Sequence, residues 1–169
     1  MSATRPSAGY RDRRISGRAQ QDHILDPYQR QQKLHEPTVC RSCGAIYRHG
    51  SWQWGKLAAG AHEEICPACR RIAEELPAGI VTVHGVQDQR RKDEIIALAR
   101  HQEQAENSEH PLNRIIAIED KGDALSITTT DIHLPRRFGE ALKRTLHGDL
   151  AIHFDESGYF VRVDWRAPG

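Results

Sequence analysis

The sequence predicts an α+β protein, in which a small N-terminal unit built around cysteines precedes a strand, a helix and a ββαββ module. Three observations indicate this order: two Cys-x-x-Cys pairs between residues 40 and 69, a β-branched run at 80–84, and alternating apolar residues beyond residue 110. Apolar residues make up only 38% of the 169-residue chain and charged residues 28%. The core is therefore small, and an additional cross-link would stabilise it.

Composition divides the chain into four segments. Residues 1–35 are rich in Arg, Gln, Ser and Gly and lack periodicity, so we expect a basic arm that is either solvated or ordered by a polyanion. Residues 36–78 hold all four cysteines. Residues 79–109 are expected to form a strand and a connecting helix, and residues 110–169 the ββαββ module.

Capping and turn residues define the predicted elements. Asp88 is a candidate helix cap, Lys121–Asp123 a turn, and Asp131 with Pro135 a helix start that Gly148 ends. The predicted elements are a hairpin at 47–54, a short helix at 70–76, strands at 80–86, 114–119 and 124–129, helices at 88–107 and 131–148, and a hairpin at 149–165.

The cysteines are the clearest functional signal. Cys40 and Cys43 form one Cys-x-x-Cys pair and Cys66 and Cys69 a second, and two such turns can supply the four thiolates of a tetrahedral zinc site. A complete thiolate set leaves no open position for water, so we expect one structural rather than catalytic ion. Iron and a redox-active thiol pair are the alternatives, with zinc favoured.

The thiols are expected to stay reduced. No apolar run approaches the roughly 20 residues that span a bilayer, and no apolar stretch follows the basic N-terminus as in a secretory signal. We therefore expect a cytoplasmic protein without a membrane partner, whose paired cysteines bind metal. Four arginines close to the cysteines in sequence could offset the negative charge of the site: Arg41, Arg48, Arg70 and Arg71.

Aromatic and basic residues suggest a nucleic-acid surface. Trp52 and Trp54 alternate beside Arg48 and could stack on unpaired bases, although one or both could instead form the core of the cysteine unit. A charged face of the last predicted helix could contact phosphates or simply be solvated. The candidate contacts are Arg11, Arg13 and Arg14 in the arm, Arg48, Trp52 and Trp54 near the cysteines, and Arg136, Arg137, Lys143 and Arg144 on the helix. The segment Thr128–Asp131 is expected to cap that helix rather than bind phosphate.

Several short motifs together resemble an uncharacterised family of small bacterial zinc-ribbon proteins with four cysteine ligands. The motifs are Asp26–Tyr28, Glu36–Pro37, Cys43–Ala45 with Tyr47, Gly50, Trp52 and Trp54, Cys66–Ile72, Pro77–Gly79, His110–Leu112, Arg114–Ile115, Thr128–Asp131, His133–Leu134 and Arg136–Arg137. The cysteine region is also distantly similar to the N-terminal zinc region of the archaeal and eukaryotic large-ribosomal-subunit export adaptor. That similarity implies that the four cysteines are metal ligands, and it implies a link to RNA or the ribosome.

The sequence contains no nucleotide-binding glycine motif, no G-x-S-x-G and no H-E-x-x-H. We therefore predict a non-enzymatic zinc-ribbon protein that binds RNA and is associated with the ribosome or translation. The alternative is a zinc-ribbon adaptor that binds a protein partner without nucleic acid, which the near-neutral net charge of +1 favours. An electron-transfer protein would require iron or reversible disulfides.

Overall fold

The computed structural model describes residues 33–57 and 59–169. Within them it contains two mixed sheets and three helices, which confirms the predicted α+β class. Most of the predicted basic arm lies outside the described residues, and so do its candidate contacts Arg11, Arg13 and Arg14. In the part of the chain that the structure describes, no helix is long and apolar enough to cross a membrane.

The cysteine unit consists of a four-stranded sheet and one short helix. Its strands are β1 (Thr38–Cys40), β2 (Ile46–Arg48), β3 (Ser51–Gln53) and β4 (His62–Glu64), and its helix is α1 (Pro67–Glu74). The strand order is β3-β2-β1-β4, with β1 antiparallel to β2 and parallel to β4. The hairpin expected within residues 47–54 is present as β2 and β3. With three residues per strand, the sheet itself buries little apolar surface.

Helix α1 begins earlier than the sequence pattern indicated, at Pro67 rather than near Arg70. The sulfur of Cys66 is the reason, because it accepts a hydrogen bond from the backbone N–H of Cys69 and so caps the first turn. Pro67 occupies the first helical position, where its missing N–H costs nothing. The helix ends at Glu74, and the C-cap residue Glu75 has a left-handed backbone.

The α/β unit contains the remaining elements, around a five-stranded sheet of order β6-β7-β5-β9-β8. The central strand β5 is antiparallel to β7 and parallel to β9, so the strand expected at 80–86 belongs to the same sheet as the C-terminal strands. The elements are β5 (Gly79–His84), α2 (Gln89–Glu109), β6 (Ile115–Asp120), β7 (Ala124–Thr129), α3 (His133–Leu146), β8 (Asp149–Phe154) and β9 (Val161–Arg166).

Both long helices pack against one face of this sheet and against each other. Alternate residues of β5 and β9 are buried on that face, as the period of two in a strand requires. The main core comprises Val81, Val83, Ile95, Leu125, Ile127, Leu134, Phe138, Leu142, Val161, Val163 and Trp165. The other face carries more polar residues, among them Thr82, Arg162 and Asp164.

Helix α3 approaches the sheet closely at Gly139. A Cβ atom at this position would lie 2.7 Å from Cγ1 of Val163 and 2.9 Å from Cδ1 of Leu150. Both distances are shorter than a van der Waals contact between carbons. A glycine is therefore needed here so that the helix can seat on β8 and β9.

The variant G139A is expected to lower the free energy of unfolding by about 1–3 kcal/mol, because the added methyl group overpacks the helix–sheet contact. Chemical denaturation monitored by circular dichroism measures this. The matched control is T145A, on the exposed side of the same helix, which should change the free energy of unfolding by no more than about 0.5 kcal/mol. Equal effects of both substitutions would contradict the close packing at Gly139.

Candidate metal centre

Four cysteine sulfur atoms converge at one end of the cysteine unit. Cys40 ends β1, Cys43 lies in the following turn, Cys66 caps α1 and Cys69 is in its first turn. Their Sγ atoms all lie within 4.8 Å of one another. None of the four is in a disulfide. The two sequence pairs thus form one potential metal site, as the spacing predicted.

The distances fit a tetrahedral metal ion. The Sγ atoms of Cys40 and Cys69 are 3.8 Å apart, and so are those of Cys43 and Cys66. Zinc–sulfur bonds of about 2.3 Å in a tetrahedron require sulfur atoms about 3.8 Å apart. A disulfide would bring two sulfurs to about 2.05 Å. These two pairs already have the required spacing and all four sulfurs lie within 4.8 Å of one another, so the four thiols can hold one ion after shifts of no more than about 1 Å.

Backbone amides support the thiolates. The N–H of Cys66 donates to Sγ of Cys40 at 3.3 Å, and the N–H of Cys69 donates to Sγ of Cys66 at 3.4 Å. Gly44 has a φ of +81° and donates its N–H to the carbonyl of Cys40 at 2.8 Å, which closes the first turn. A residue with a side chain rarely adopts this conformation, which explains the glycine after the first pair.

The thiols differ in acidity. Burial raises the pKa of Cys40, but hydrogen bonds from the backbone amides of Cys66, Cys43 and Ser42 outweigh burial and lower the pKa to about 6. Burial raises the pKa of Cys43 and of Cys66, and the charges of the neighbouring thiolates raise both further. Without a cation, four thiolates would repel one another in this buried place, so a bound metal ion is what permits all four to ionise.

Arg114 of the α/β unit reaches the sulfur cluster. Its Nη2 atom lies 3.0 Å from Sγ of Cys69 and 3.7 Å from Sγ of Cys66. Burial lowers the pKa of Arg114, but the hydrogen bond to Cys69 and the thiolate charges outweigh this and raise it, so the side chain is a cation. A divalent ion with four thiolates carries a formal charge of about −2. Arg114 offsets part of that charge.

Sequence reasoning did not identify Arg114 as a neighbour of the thiolates. Among the described residues, Arg41, Arg48 and Arg70 make no hydrogen bond to a cysteine sulfur, although they are closer in sequence. The side chain of Arg71 donates to the carbonyl of Leu76 at 3.0 Å. The only sequence signal at Arg114 was its place in the Arg114–Ile115 motif of the family resemblance.

Two further contacts join the cysteine unit to the α/β unit. The indole N–H of Trp54 donates to the backbone carbonyl of Asn107, near the end of α2, at 2.5 Å. Leu112, in the loop between α2 and β6, packs against the cluster formed by the buried cysteines. The candidate metal centre therefore lies where the two units meet.

The two tryptophans have different environments. Trp52 is half-buried, packs against the cysteine cluster and contacts the ring of Tyr47 edge-on, with ring centroids 5.5 Å apart. Trp52 therefore belongs to the small core of the cysteine unit, which is one of the two roles that the sequence allowed for it. Trp54 is 40% exposed and is held by its hydrogen bond to Asn107. Arg48 is half-buried at the end of β2.

The basic residues of α3 also divide into two pairs. Nε of Arg136 lies 3.2 Å from Oε1 of Glu140, and Nε of Arg137 lies 2.9 Å from Oε1 of the buried Glu106. Lys143 and Arg144 are exposed, and neither forms an ion pair within the described part of the chain. Acidic neighbours thus fix two of the four candidate contacts in position and reduce their net charge.

The start of α3 is capped by Asp131, as predicted. Its Oδ2 atom accepts hydrogen bonds from the backbone N–H groups of His133 and Leu134 at 2.8 and 2.9 Å. Burial raises the pKa of Asp131 to about 6, although these amides act in the opposite direction. Two of the first backbone amides of the helix therefore already have an acceptor, which favours a cap over a phosphate site.

No protein family model, curated protein or solved structure matches this chain. The chemistry of the site therefore follows from its own contacts, which bring together the four cysteines and Arg114. Of the residues proposed from sequence to bind nucleic acid, Trp52 is partly withdrawn into the core.

The variant R114Q is expected to weaken zinc affinity by about 10–100-fold, as is typical when a partner of the ligands is lost. The substitution removes the cation that donates to two ligand sulfurs. Competition with a chromophoric chelator measures the affinity, and circular dichroism checks the fold. The matched control is R41Q, an exposed arginine beside Cys40, which should leave zinc affinity unchanged. Indistinguishable affinities for the two variants would contradict the role of Arg114.

Proposed function

We propose that the chain is a non-enzymatic zinc-ribbon protein of the cytoplasm that binds RNA, with the ribosome as the expected setting. The observation that carries the proposal is that the exposed Trp54 and the basic Arg137 of α3 both bond to the end of α2, at the adjacent residues Asn107 and Glu106. The metal centre has a structural role in this proposal, and the surface next to it has the binding role.

The donor set supports a structural zinc ion. Tetrahedral sulfur coordination is typical of zinc and of iron–sulfur sites, and four free thiols in two Cys-x-x-Cys turns match the structural zinc class. Four sulfur ligands fill the coordination shell, which leaves no position at which the metal could activate water. Free thiols also fit a reducing compartment, where zinc rather than disulfide formation stabilises such a unit.

The end of α2 brings Trp54 and α3 together. Trp54 bonds to the carbonyl of Asn107, and Arg137 bonds to the carboxylate of the preceding residue, Glu106. Burial lowers the pKa of His133, at the start of α3. The negative charge of Glu106 raises this pKa, whereas the positive charges of Arg137 and Arg136 lower it further, so these charged groups lie near His133. We call Trp54, Arg136 and Arg137 the tryptophan–arginine surface.

This surface has the two components that single-stranded RNA requires. An exposed indole whose N–H is fixed can stack on an unpaired base, which typically contributes about 1–3 kcal/mol. Guanidinium groups positioned by Glu140 and Glu106 can contact phosphates on the same strand. Lys143 and Arg144, further along α3, extend the positive charge. Because two arginines are partly neutralised, we expect few phosphate contacts and a moderate salt dependence.

The test is fluorescence anisotropy of a labelled single-stranded RNA, titrated with the zinc-loaded protein from low to moderate salt. W54A should raise the dissociation constant by about 5–150-fold, which corresponds to the loss of one stacked base. R136Q should weaken binding and reduce the salt slope by about one. The matched control is R90Q, an exposed arginine that also pairs with a glutamate but lies at the opposite end of α2, and it should bind like the wild type.

The second candidate is a protein-binding adaptor, which exposed leucines of the cysteine unit favour. Leu57 is 66% exposed and Leu76 is 50% exposed, and such apolar side chains commonly lie in protein interfaces.

RNA binding that is absent at low salt, or that does not respond to salt or to W54A, would contradict the RNA proposal. The adaptor would then be the better account of the same platform.

A further inference from the structure

The strand β8 forms an open edge of the five-stranded sheet. Within the described residues it pairs with β9 alone, in an unbroken antiparallel register from Asp149–Arg166 to Phe154–Val161. At the turn, the N–H of Asp155 donates to the carbonyl of Phe160 at 3.0 Å, so these two residues form a hydrogen-bonded pair. Hydrogen-bonded and non-hydrogen-bonded pairs alternate along an antiparallel ladder, so every second residue of β8 bonds to β9. Leu150, Ile152 and Phe154 therefore direct their backbone N–H and C=O groups outward, away from β9.

The opposite edge of the sheet is protected, whereas β8 is not. Strand β6 has an irregular register between Ile115 and Ala117 and ends in the acidic pair Glu119 and Asp120. Bulges and charges of this kind prevent an edge from pairing with another chain. β8 has no bulge, and its only charged or titratable side chains are Asp149 and His153.

We propose that two copies of this chain associate through β8, antiparallel, with the twofold axis at Ala151. In this register Leu150 pairs with Ile152 of the partner subunit, and both residues have outward-facing backbone groups. Asp149 then lies opposite His153 of the partner subunit, and His153 opposite Asp149 of the partner subunit. The interface is self-complementary, as a twofold contact must be, and the two sheets become one.

Charge and strand length favour this register over its neighbours. The alternation of outward-facing groups allows a strand to slide only in steps of two residues. One such step would place Asp149 opposite Asp155 of the partner subunit, and like charges directly opposite each other are destabilising. The step in the other direction would pair only Asp149–Ala151, because β8 begins at Asp149. In the proposed register the Asp149 carboxylate can instead accept a hydrogen bond from the imidazole of His153 of the partner subunit.

The exposed aromatic at the end of β8 also fits the register. Phe154 is 49% exposed, and in the dimer it lies opposite Gly148 of the partner subunit. Gly148 has a φ of +80°, and a Cβ there would clash with Arg166 and Trp165, so this position carries no side chain. An aromatic ring can cover a glycine on the neighbouring strand, an arrangement known to stabilise antiparallel sheets.

Light scattering coupled to size-exclusion chromatography tests the proposal with the full-length, zinc-loaded protein. The wild type is expected to be a dimer at micromolar concentration. Ala151 is exposed and meets its own copy across the axis, so A151K should be monomeric because two lysines would face each other. The matched control A151T adds no charge and should remain a dimer.

A mixture of A151K and A151E should form a heterodimer, although each variant alone is monomeric, because opposite charges then meet at the axis. Circular dichroism and zinc content verify that the variants fold. A monomeric wild type, a dimeric A151K, or a mixture of folded variants that stays monomeric would overturn the proposal. Ala151 lies opposite Asp164 of β9, where a second carboxylate is unfavourable. If A151E does not fold for this reason, the wild type, A151K and A151T still decide whether the chain dimerises through β8. The outcome is independent of RNA binding.

Discussion

The convergence of four cysteine sulfurs within 4.8 Å is the constraint on which the rest of the cysteine unit depends. The strands there have three residues each, and the buried cluster consists mainly of cysteines and alanines. So little apolar surface cannot offset the conformational entropy of ordering the segment. A structural zinc ion supplies about 10–16 kcal/mol of apparent binding free energy at neutral pH, which becomes folding free energy. With such an ion at this site, metal binding and folding of this unit would be one equilibrium.

An ion held by these sulfurs would also affect the arrangement of the two units. Arg114, which directly precedes β6 of the α/β unit, donates to the sulfurs of Cys66 and Cys69. The attraction between its charge and a metal–thiolate centre would be strong because both groups are partly buried. Trp54 follows the cysteine unit's last hairpin strand and binds the end of α2. The tryptophan–arginine surface thus combines residues from both units, and the metal centre supports it without being part of it.

Local chemistry explains which features could be predicted from sequence. The two cysteine pairs, the cap at Asp88 and the cap at Asp131 depend on residues within a few positions of each other, so spacing alone indicated them. Arg114 could not be found in this way, because its partners Cys66 and Cys69 lie far back in the chain. The central position of β5 in its sheet likewise results from pairing with β7 and β9, which leaves no signal in the strand's own residues. Trp52 and Trp54 have the same local pattern, and only packing distinguishes them.

The most direct test of the central claim is zinc X-ray absorption spectroscopy on the untagged protein, combined with elemental analysis of the same sample. We expect one zinc ion per chain, with a coordination shell of four sulfur atoms at about 2.3 Å. A shell containing nitrogen or oxygen would show that a different ligand set is used. Iron in place of zinc, or a metal-free protein with paired cysteines, would contradict the structural zinc centre on which this account rests.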